Sequence, residues 1–386
     1  MITPVRHARV SLLIDGRDYY PELAPDMLSF SYSDNLGQAD DLQIELQDIE
    51  RQWIKDSFPA KGSVTIDAAI LPLHFPWPGA VQRLDCGTFQ IDAISHKGPP
   101  NTVSIKGNSI PISVTAKGEN KVRAWEGKTL RQIAEDISGA NELEINWDTQ
   151  ENPRFKRIDQ NDQTDLEFLD AQCKEAGLII KIKRNQIKIF AEAEYEQRPP
   201  AFTLRYGSDE ILGWSFDTKT ADTAKESEVE FLDPETGKLT KAKAVDNDPK
   251  LKNARKIRSY DNPKSDPDLL PDPRAPFVSP GTLADPPPLA DADYYDNRPD
   301  KNAGKGAGLQ AKGTKKAKAA LREANKHRDT AQFEVIGNPA AESGLTVALE
   351  NWGAFDGIYF LEKVTHKTPP YLSSYSLHRE LASKGY

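Results

Sequence analysis

Leu42-Gln-Ile-Glu-Leu-Gln47 puts an apolar side chain at every second position, the period of a strand with one buried and one wet face. The alternation continues on both sides. Ala8 to Ile14 reads as a strand, Asp15-Gly16 as a hairpin turn and Arg17 to Tyr20 as the return. Val64, Ile66, Ala68 and Ile70 alternate next, then Phe89, Ile91 and Ala93, and Val103 and Ile105 follow a Gly98-Pro99-Pro100 turn. Short strands at this spacing predict a small barrel or sandwich, the alternative being one sheet packed on later helices.

Helical spacing then takes over. Leu130, Ile133, Ala134 and Ile137 share a face, Thr129 with Gln132 makes a capping box, and Gly139 ends the helix. Thr164 with Glu167 opens a second helix, striped by Leu166, Leu169, Cys173 and Ala176 and closed by Gly177. Leu178 to Lys183 and Ile187 to Phe190 form a hairpin around Arg184-Asn185-Gln186. These elements predict an α+β module from residue 117 to residue 200.

From Phe202 the β pattern returns. Leu204, Tyr206, Ile211, Trp214 and Phe216 predict two strands, and Val229–Phe231 pairs with Leu239–Ala244 across Pro234–Gly237. Ten prolines and nine aspartates then fall between Ser259 and Asp300, a composition with too little apolar surface to offset chain entropy. Lys301 to Ala320 carries six lysines, four glycines and no acid. The expectation over 247–330 is a long, mobile linker ending in a basic helix from about Thr314 to Thr330. Phe333, Val335, Leu345, Val347 and Leu349 lead to a last β region through Gly357–His366, Pro369-Pro370 and Tyr371–Arg379. No exact repeat stands out, but the first and last β regions are similar in kind.

At about 150 residues per domain, 386 residues predict two or three domains. The 38% hydrophobic content is low for a globular chain but above that of a fully disordered one. A net charge of −9 argues against binding held by phosphate contacts, which needs a basic face. Apolar runs such as Leu12–Ile14 and Leu178–Ile180 are too short to span a bilayer, and Met1–His7 has no signal-peptide pattern. Cys86 and Cys173 cannot make a disulfide framework, consistent with a reducing compartment. The expectation is a soluble multidomain protein made in the cytoplasm.

No motif supplies chemistry. There is no phosphate-binding glycine loop, no nucleophile elbow, no calcium loop and no His-Glu-x-x-His helix. The six histidines and two isolated cysteines disfavour zinc. The densest acidic cluster lies in the linker, where catalytic geometry could not be held. His366 reads as a structural histidine rather than a catalytic one. No catalytic, cofactor-binding or metal residues are assigned, and no enzyme activity is expected. Val122–Ala134 resembles the start of a LysM peptidoglycan-binding repeat, although any capped amphipathic helix reads this way and the second helix comes too late for a LysM unit.

Several stretches in order resemble the late control protein D family, the baseplate hub of contractile phage tails and related injection systems. They are Trp53–Gly62, Gly87-Thr-Phe-Gln-Ile-Asp92, Gly98-Pro-Pro100, Val103–Ser109, Lys128–Ala134 and Asp162–Leu169 with Ala176-Gly-Leu178. The C-terminal match covers Ala317–Ala324, Gly344, Val347, Asp356-Gly-Ile-Tyr359, Val364-Thr-His366 and Tyr371–Arg379. The motif positions carried over are Gly87, Phe89, Ile91, Asp92, Pro99, Pro100, Gly357, Tyr359, His366, Tyr371 and Arg379, as structural positions. The segment Ser259–Asp300 has no counterpart, and Gly353-Ala-Phe-Asp356 is an imperfect glycine-rich turn. The resemblance implies an α+β, mainly β chain with two tube-like β-barrel domains, one in 1–116 and one combining 201–246 with 331–386. The α+β domain stands between them. It further implies a homotrimer joining a sixfold tail tube to a threefold central spike in the virion's tail baseplate. Implied partners are the spike, tail tube and tape-measure proteins, with DNA only as passing cargo and no membrane insertion. The alternatives are a peptidoglycan-binding tail component and a hub with a cell-wall hydrolase role.

Overall fold

A computed structural model describes residues 6–14, 16–55, 64–73, 75, 83–109, 119–155, 157–183, 186–219, 221, 223–232, 239–247, 254–261 and 305–381. The expected Phe58–Gly62 motif, the Pro234–Gly237 turn and nearly all of the Pro/Asp-rich segment lie outside these residues.

The N-terminal third contains β1 (His7–Ile14), β2 (Arg17–Asp18), α1 (Tyr20–Leu23), β3 (Met27–Asn35), β4 (Asp41–Gln47), α2 (Gln52–Lys55), β5 (Thr65–Leu73), β6 (Leu84–Lys97) and β7 (Thr102–Ser109). The C-terminal part adds β18 (Asp329–Ile336), β19 (Thr346–Glu350), β20 (Gly357–Thr368) and β21 (Leu372–Arg379), together with β13 (Phe202–Arg205) and β14 (Ile211–Thr218) from before the linker. All of these strands belong to one sheet, ordered β14-β18-β21-β20-β3-β4-β7-β6-β5-β1-β2, with β19 on β20 and β13 parallel to β19. Alternate side chains of these strands build two cores. Phe30, Tyr32, Ile44, Phe89 and Ile105 centre the first, and Phe333, Val335, Tyr359, Val364 and Tyr375 the second.

The expectation of closed barrels is corrected here, because no sheet closes on itself among the described residues. The reason lies in β3, a strand missing from the sequence reading. Phe30 and Tyr32 point into the first core while Ser29, Ser31 and Ser33 point away, so β3 is half-buried like its neighbours. Its second hydrogen-bonding edge is taken by β20, from Lys363↔Asn35 to Thr368↔Phe30. Two β regions are thereby fused side by side.

Between them come β8 (Lys121–Glu126), α3 (Leu130–Ala140), β9 (Glu144–Asp148), β10 (Arg157–Gln163), α4 (Asp165–Glu175), β11 (Leu178–Lys183), β12 (Gln186–Ala191) and α5 (Glu192–Glu196). Both capping boxes form: Thr129 with Gln132 opens α3, and Thr164 with Glu167 opens α4. Leu130, Ile133, Ala134 and Ile137 of α3 and Leu169 and Cys173 of α4 are buried in one core with the strands. The apolar stripe of the LysM-like segment is therefore fully occupied by packing.

A separate three-stranded sheet, β16 (Leu239–Val245), β15 (Ala224–Leu232) and β17 (Arg255–Asp261), lies under α6 (Lys305–Asn325). A strand, β17, thus lies inside the expected linker, and the basic helix starts nine residues earlier than Thr314. Ala317 and Leu321 of α6 pack on Val229 and Ala242. No helix among the described residues is long and apolar enough to cross a membrane.

Candidate functional site

The two Pro-Pro turns occupy the same place in two copies of one four-strand unit. The first copy runs β3-β4-β7-β6 along the sheet and the second β14-β18-β21-β20, with the same chain order in each. In β4 and β7 Asp41 faces Asn108, and in β18 and β21 Thr330 faces His378. That register sets Leu42-Gln-Ile-Glu-Leu46 over Ala331-Gln-Phe-Glu-Val335. It likewise sets Met27-Leu-Ser-Phe-Ser-Tyr32 over Ile211-Leu-Gly-Trp-Ser-Phe216. His96-Lys-Gly-Pro-Pro100 overlies His366-Lys-Thr-Pro-Pro370.

The irregularities coincide as well. One bulge leaves out Asp92 in β6 and Glu362 in β20; another leaves out Leu28 in β3 and Leu212 in β14. An extra residue at the same strand position, twice over, marks a built feature rather than a loose end. Gly87 and Gly357 also match, with φ of 107° and 143°, a region costly for any side chain.

This pairing locates the motif positions. Phe89 and Tyr359 fill corresponding places in the two cores, and Ile91, at the margin of the first core, corresponds to Leu361, buried in the second. Asp92 accepts from Asn108 at 3.2 Å where Glu362 faces His378 at 3.0 Å. Tyr371 crosses into the first core, edge-on to Phe75 at 5.0 Å. Arg379 holds the backbone carbonyls of Ala354 and Asp356 and lies 5.5 Å from the Tyr359 ring. Pro99 and Pro100 are exposed at the tip of the β6–β7 turn.

The largest difference between the copies is at the matched histidines. His366 is fully buried; its Nε2 donates to the Ala341 carbonyl at 3.2 Å, and its Nδ1 accepts from Tyr371 and Ser373. Burial pushes its pKa down to about 4, so the ring is neutral at pH 7. It stacks on Tyr32 of the adjacent β3, with ring centroids 6.1 Å apart. His96 is exposed, as are Asp92, Ala93, Ser95 and Lys97. One edge of this half of β6 is paired with β7; along its other edge, beyond Thr65↔Gln90 and the Ile91 N–H to Val64 bond, no described strand runs.

Among the described residues the other open edge is β14, paired only with β18. Trp214 is 53% and Tyr206 60% exposed, large values for aromatic rings in a sheet. Both rings pack on Trp352, each at 5.1 Å, and Phe216 stacks on Phe355 at 4.3 Å. The Trp352 indole donates to the Leu204 carbonyl at 2.9 Å, which fixes the cluster. The sequence reading did not find this cluster, because its members come from three separate segments.

Two buried charge networks fasten the α+β module to the sheet. Lys181 meets Asp34 at 2.7 Å, and Asp34 accepts from the Ser343 N–H and hydroxyl. Nearby, burial and then the Asp34 charge push the Asp40 carboxyl up to about 7. In the second network Glu192 and Glu196 of α5 meet Arg322 and Lys326 from α6 and its end, and His378 of β21. Burial disfavours charge on His378, yet Glu196 and Glu362 outweigh it and raise its pKa. Glu192, Glu196 and His378 have a spacing that suits a metal ion, but the carboxylates already face two cations. The group is an ion-pair network. None of its members was singled out from the sequence, since nothing local marks a charge destined for burial.

No family model matches the chain. Over 179 residues, 46% of this chain, it is 28% identical to a "Probable baseplate hub protein" of Escherichia phage P2. It is 26% identical over 178 residues to a protein of the same name from Escherichia phage 186. Each match spans 43% of the relative's length. The structure resembles that of a tail protein from Neisseria meningitidis MC58, with TM-score 0.65, 13% identity and 97% of each chain covered. It also resembles an E. coli protein described as a type VI secretion system component structurally similar to T4 bacteriophage tail proteins gp27 and gp5. That match has TM-score 0.52 and 11% identity, over 96% of this chain and 77% of the other. The resemblance to hub proteins read from the sequence is thus met by sequence relatives that carry that name.

Proposed function

We propose that this chain is a structural baseplate hub of a contractile tail or injection system, without catalytic activity, that trimerises to seat a threefold spike on a sixfold tube. One observation carries this reading: the two matched four-strand units within one chain. Three chains present six such units, which offers a sixfold partner one type of surface six times while the assembly itself stays threefold. The first tube-like domain lies within 1–116 and the second combines β13 and β14 with 329–379, while β15 and β16, expected in the second domain, belong to the separate sheet under α6; 117–200 is the intervening domain. Partners on this reading are further copies of the chain, the spike, the tail tube and the tape-measure protein.

The channel wall is the sheet face turned away from both cores. It carries Ser31, Ser33, Gln43, Ser104, Gln332 and Thr365, hydroxyl and amide groups that offer passing cargo little to stick to. Glu45 and Glu334 hold corresponding positions on it, so three chains set six carboxylates at one level and repel a polyanion from the wall.

The test is solution mass by light scattering, with and without the spike protein. The monomer is 42.9 kDa; a species of three times that mass, alone or with the spike, is expected. A monomer under both conditions overturns the reading. Glu45→Lys with Glu334→Lys should assemble normally yet slow DNA delivery; unchanged delivery would remove the repulsive-wall role.

A further inference from the structure

Among the described residues the chain has one finished joint between its two units, β3 against β20, and two unfinished edges that correspond to the halves of that joint. By the matched registers β14 corresponds to β3, and the Asp92–Lys97 half of β6 corresponds to β20. Within one chain these edges cannot meet, because β14 and β6 stand at opposite ends of the eight-strand run β14-β18-β21-β20-β3-β4-β7-β6.

We infer that β6 of one copy pairs antiparallel with β14 of the next, in the register of the internal β20–β3 joint. Transferring that register residue by residue sets Ile94 opposite Thr218, Ser95 opposite Asp217, His96 opposite Phe216 and Lys97 opposite Ser215. This assignment rests on the self-association proposed above and gives it its contact surface.

Three features of the chain agree with this pairing. First, His96 is exposed where its counterpart His366 is buried against Tyr32, and the inferred joint places Phe216 where Tyr32 stands. Second, Trp214 and Phe216 lie on the core side of β14, opposite Phe333 and Ala331, so the joint covers the exposed Trp214 ring and the half-buried Phe216 ring and joins the two cores across copies. Third, on the other face Lys97 comes diagonal to Asp217, an opposite-charge pair within reach across strands. Unpaired strand edges are liabilities that folded proteins cover or block, and neither edge carries a proline across this stretch.

Cross-linking of the full chain tests the register. In the internal joint the Ser33 and Thr365 side-chain oxygens are 3.0 Å apart, and Asp217 with Ser95 is the corresponding pair. Ser95→Cys with Asp217→Cys should give disulfide-linked species up to the trimer under mild oxidation. Ser95→Cys with Thr218→Cys, displaced to the opposite face, should not. Cys86 and Cys173 are buried and stay out of the reaction. A trimer by light scattering that the first pair fails to link, or that the second pair links equally, overturns the register. A chain that remains monomeric by mass with the spike present overturns the self-association beneath it.

Discussion

Gly337 lies directly under the Tyr371 ring, and a Cβ placed there would fall 2.2 Å from its Cδ1 carbon. Tyr371 is itself wedged into the first core against Phe75, so the ring has no free direction in which to yield. Gly337→Ala should therefore destabilise the protein by about 1–3 kcal/mol, the usual cost of overpacking, measured as a lower urea midpoint with unchanged slope. A wild-type midpoint would show that the ring moves. His378 makes a pH prediction. Its raised pKa means that folding holds its proton more tightly than the unfolded chain does. Stability from this group is fully present below the unfolded value of about 6.5 and is lost as pH rises through the folded pKa. Asp40 acts in the same direction, because a carboxyl pushed up from 3.8 to about 7 loses stability across that interval. His366, lowered to about 4 by burial, works the other way below its unfolded value of about 6.5. Unfolding is therefore compared between pH 6.5 and pH 8, where the protein should be more stable at the lower pH. Asp40→Asn should remove one part of the difference and His378→Gln the other. At pH 6, His378→Ala should cost about 3–5 kcal/mol by leaving buried carboxylates short of a partner.

Elements differed widely in how plainly the sequence announced them. Both capping boxes and their helices were legible because a cap is local chemistry, three residues apart, followed by a stripe. The alternating strands β4, β5, β6 and β7 were legible by period alone. β3 was missed although Phe30 and Tyr32 alternate with serines, because its inward set ends in the buried charge Asp34, which pattern reading assigns to a turn. The duplication was partly in view: His-Lys-x-Pro-Pro occurs twice, and turn chemistry tolerates few residue types. The strands flanking it share only an in-out pattern, which Ile-Glu-Leu and Phe-Glu-Val satisfy equally, so identity fades away from the turns. The candidate surface was the least legible part, since an edge exists only relative to the order of strands in a sheet. At this scale, Asp217→Lys should weaken self-association by setting it against Lys97, and Lys97→Glu in the same chain should restore it. Sedimentation of the single and double variants checks this, and a double variant as weak as the single would remove the pairing.

Over the whole molecule, the module of β8–β12 and the layer under α6 are both tied to the sheet around β20 and β21. Phe190 and Tyr195 pack on Phe360, while Lys326 reaches Glu362 and Arg322 reaches Glu196, which also holds His378. The corresponding surface of the first copy, around Gln90, Asp92 and Asn108, bears no such cover among the described residues. The two units are alike in backbone and unlike in surroundings.

The β3–β20 seam also changes the mass action of assembly. On the proposed reading, six units stand in a ring and need six seams, of which each chain makes one internally, at an effective concentration set by its own fold rather than by dilution. Only three seams are then left to encounters in solution, so ring formation depends on the third power of chain concentration rather than the sixth. Fusing two units in one chain also lets each diverge, so that one of the two can keep a histidine buried while the other holds its counterpart open until a neighbour arrives.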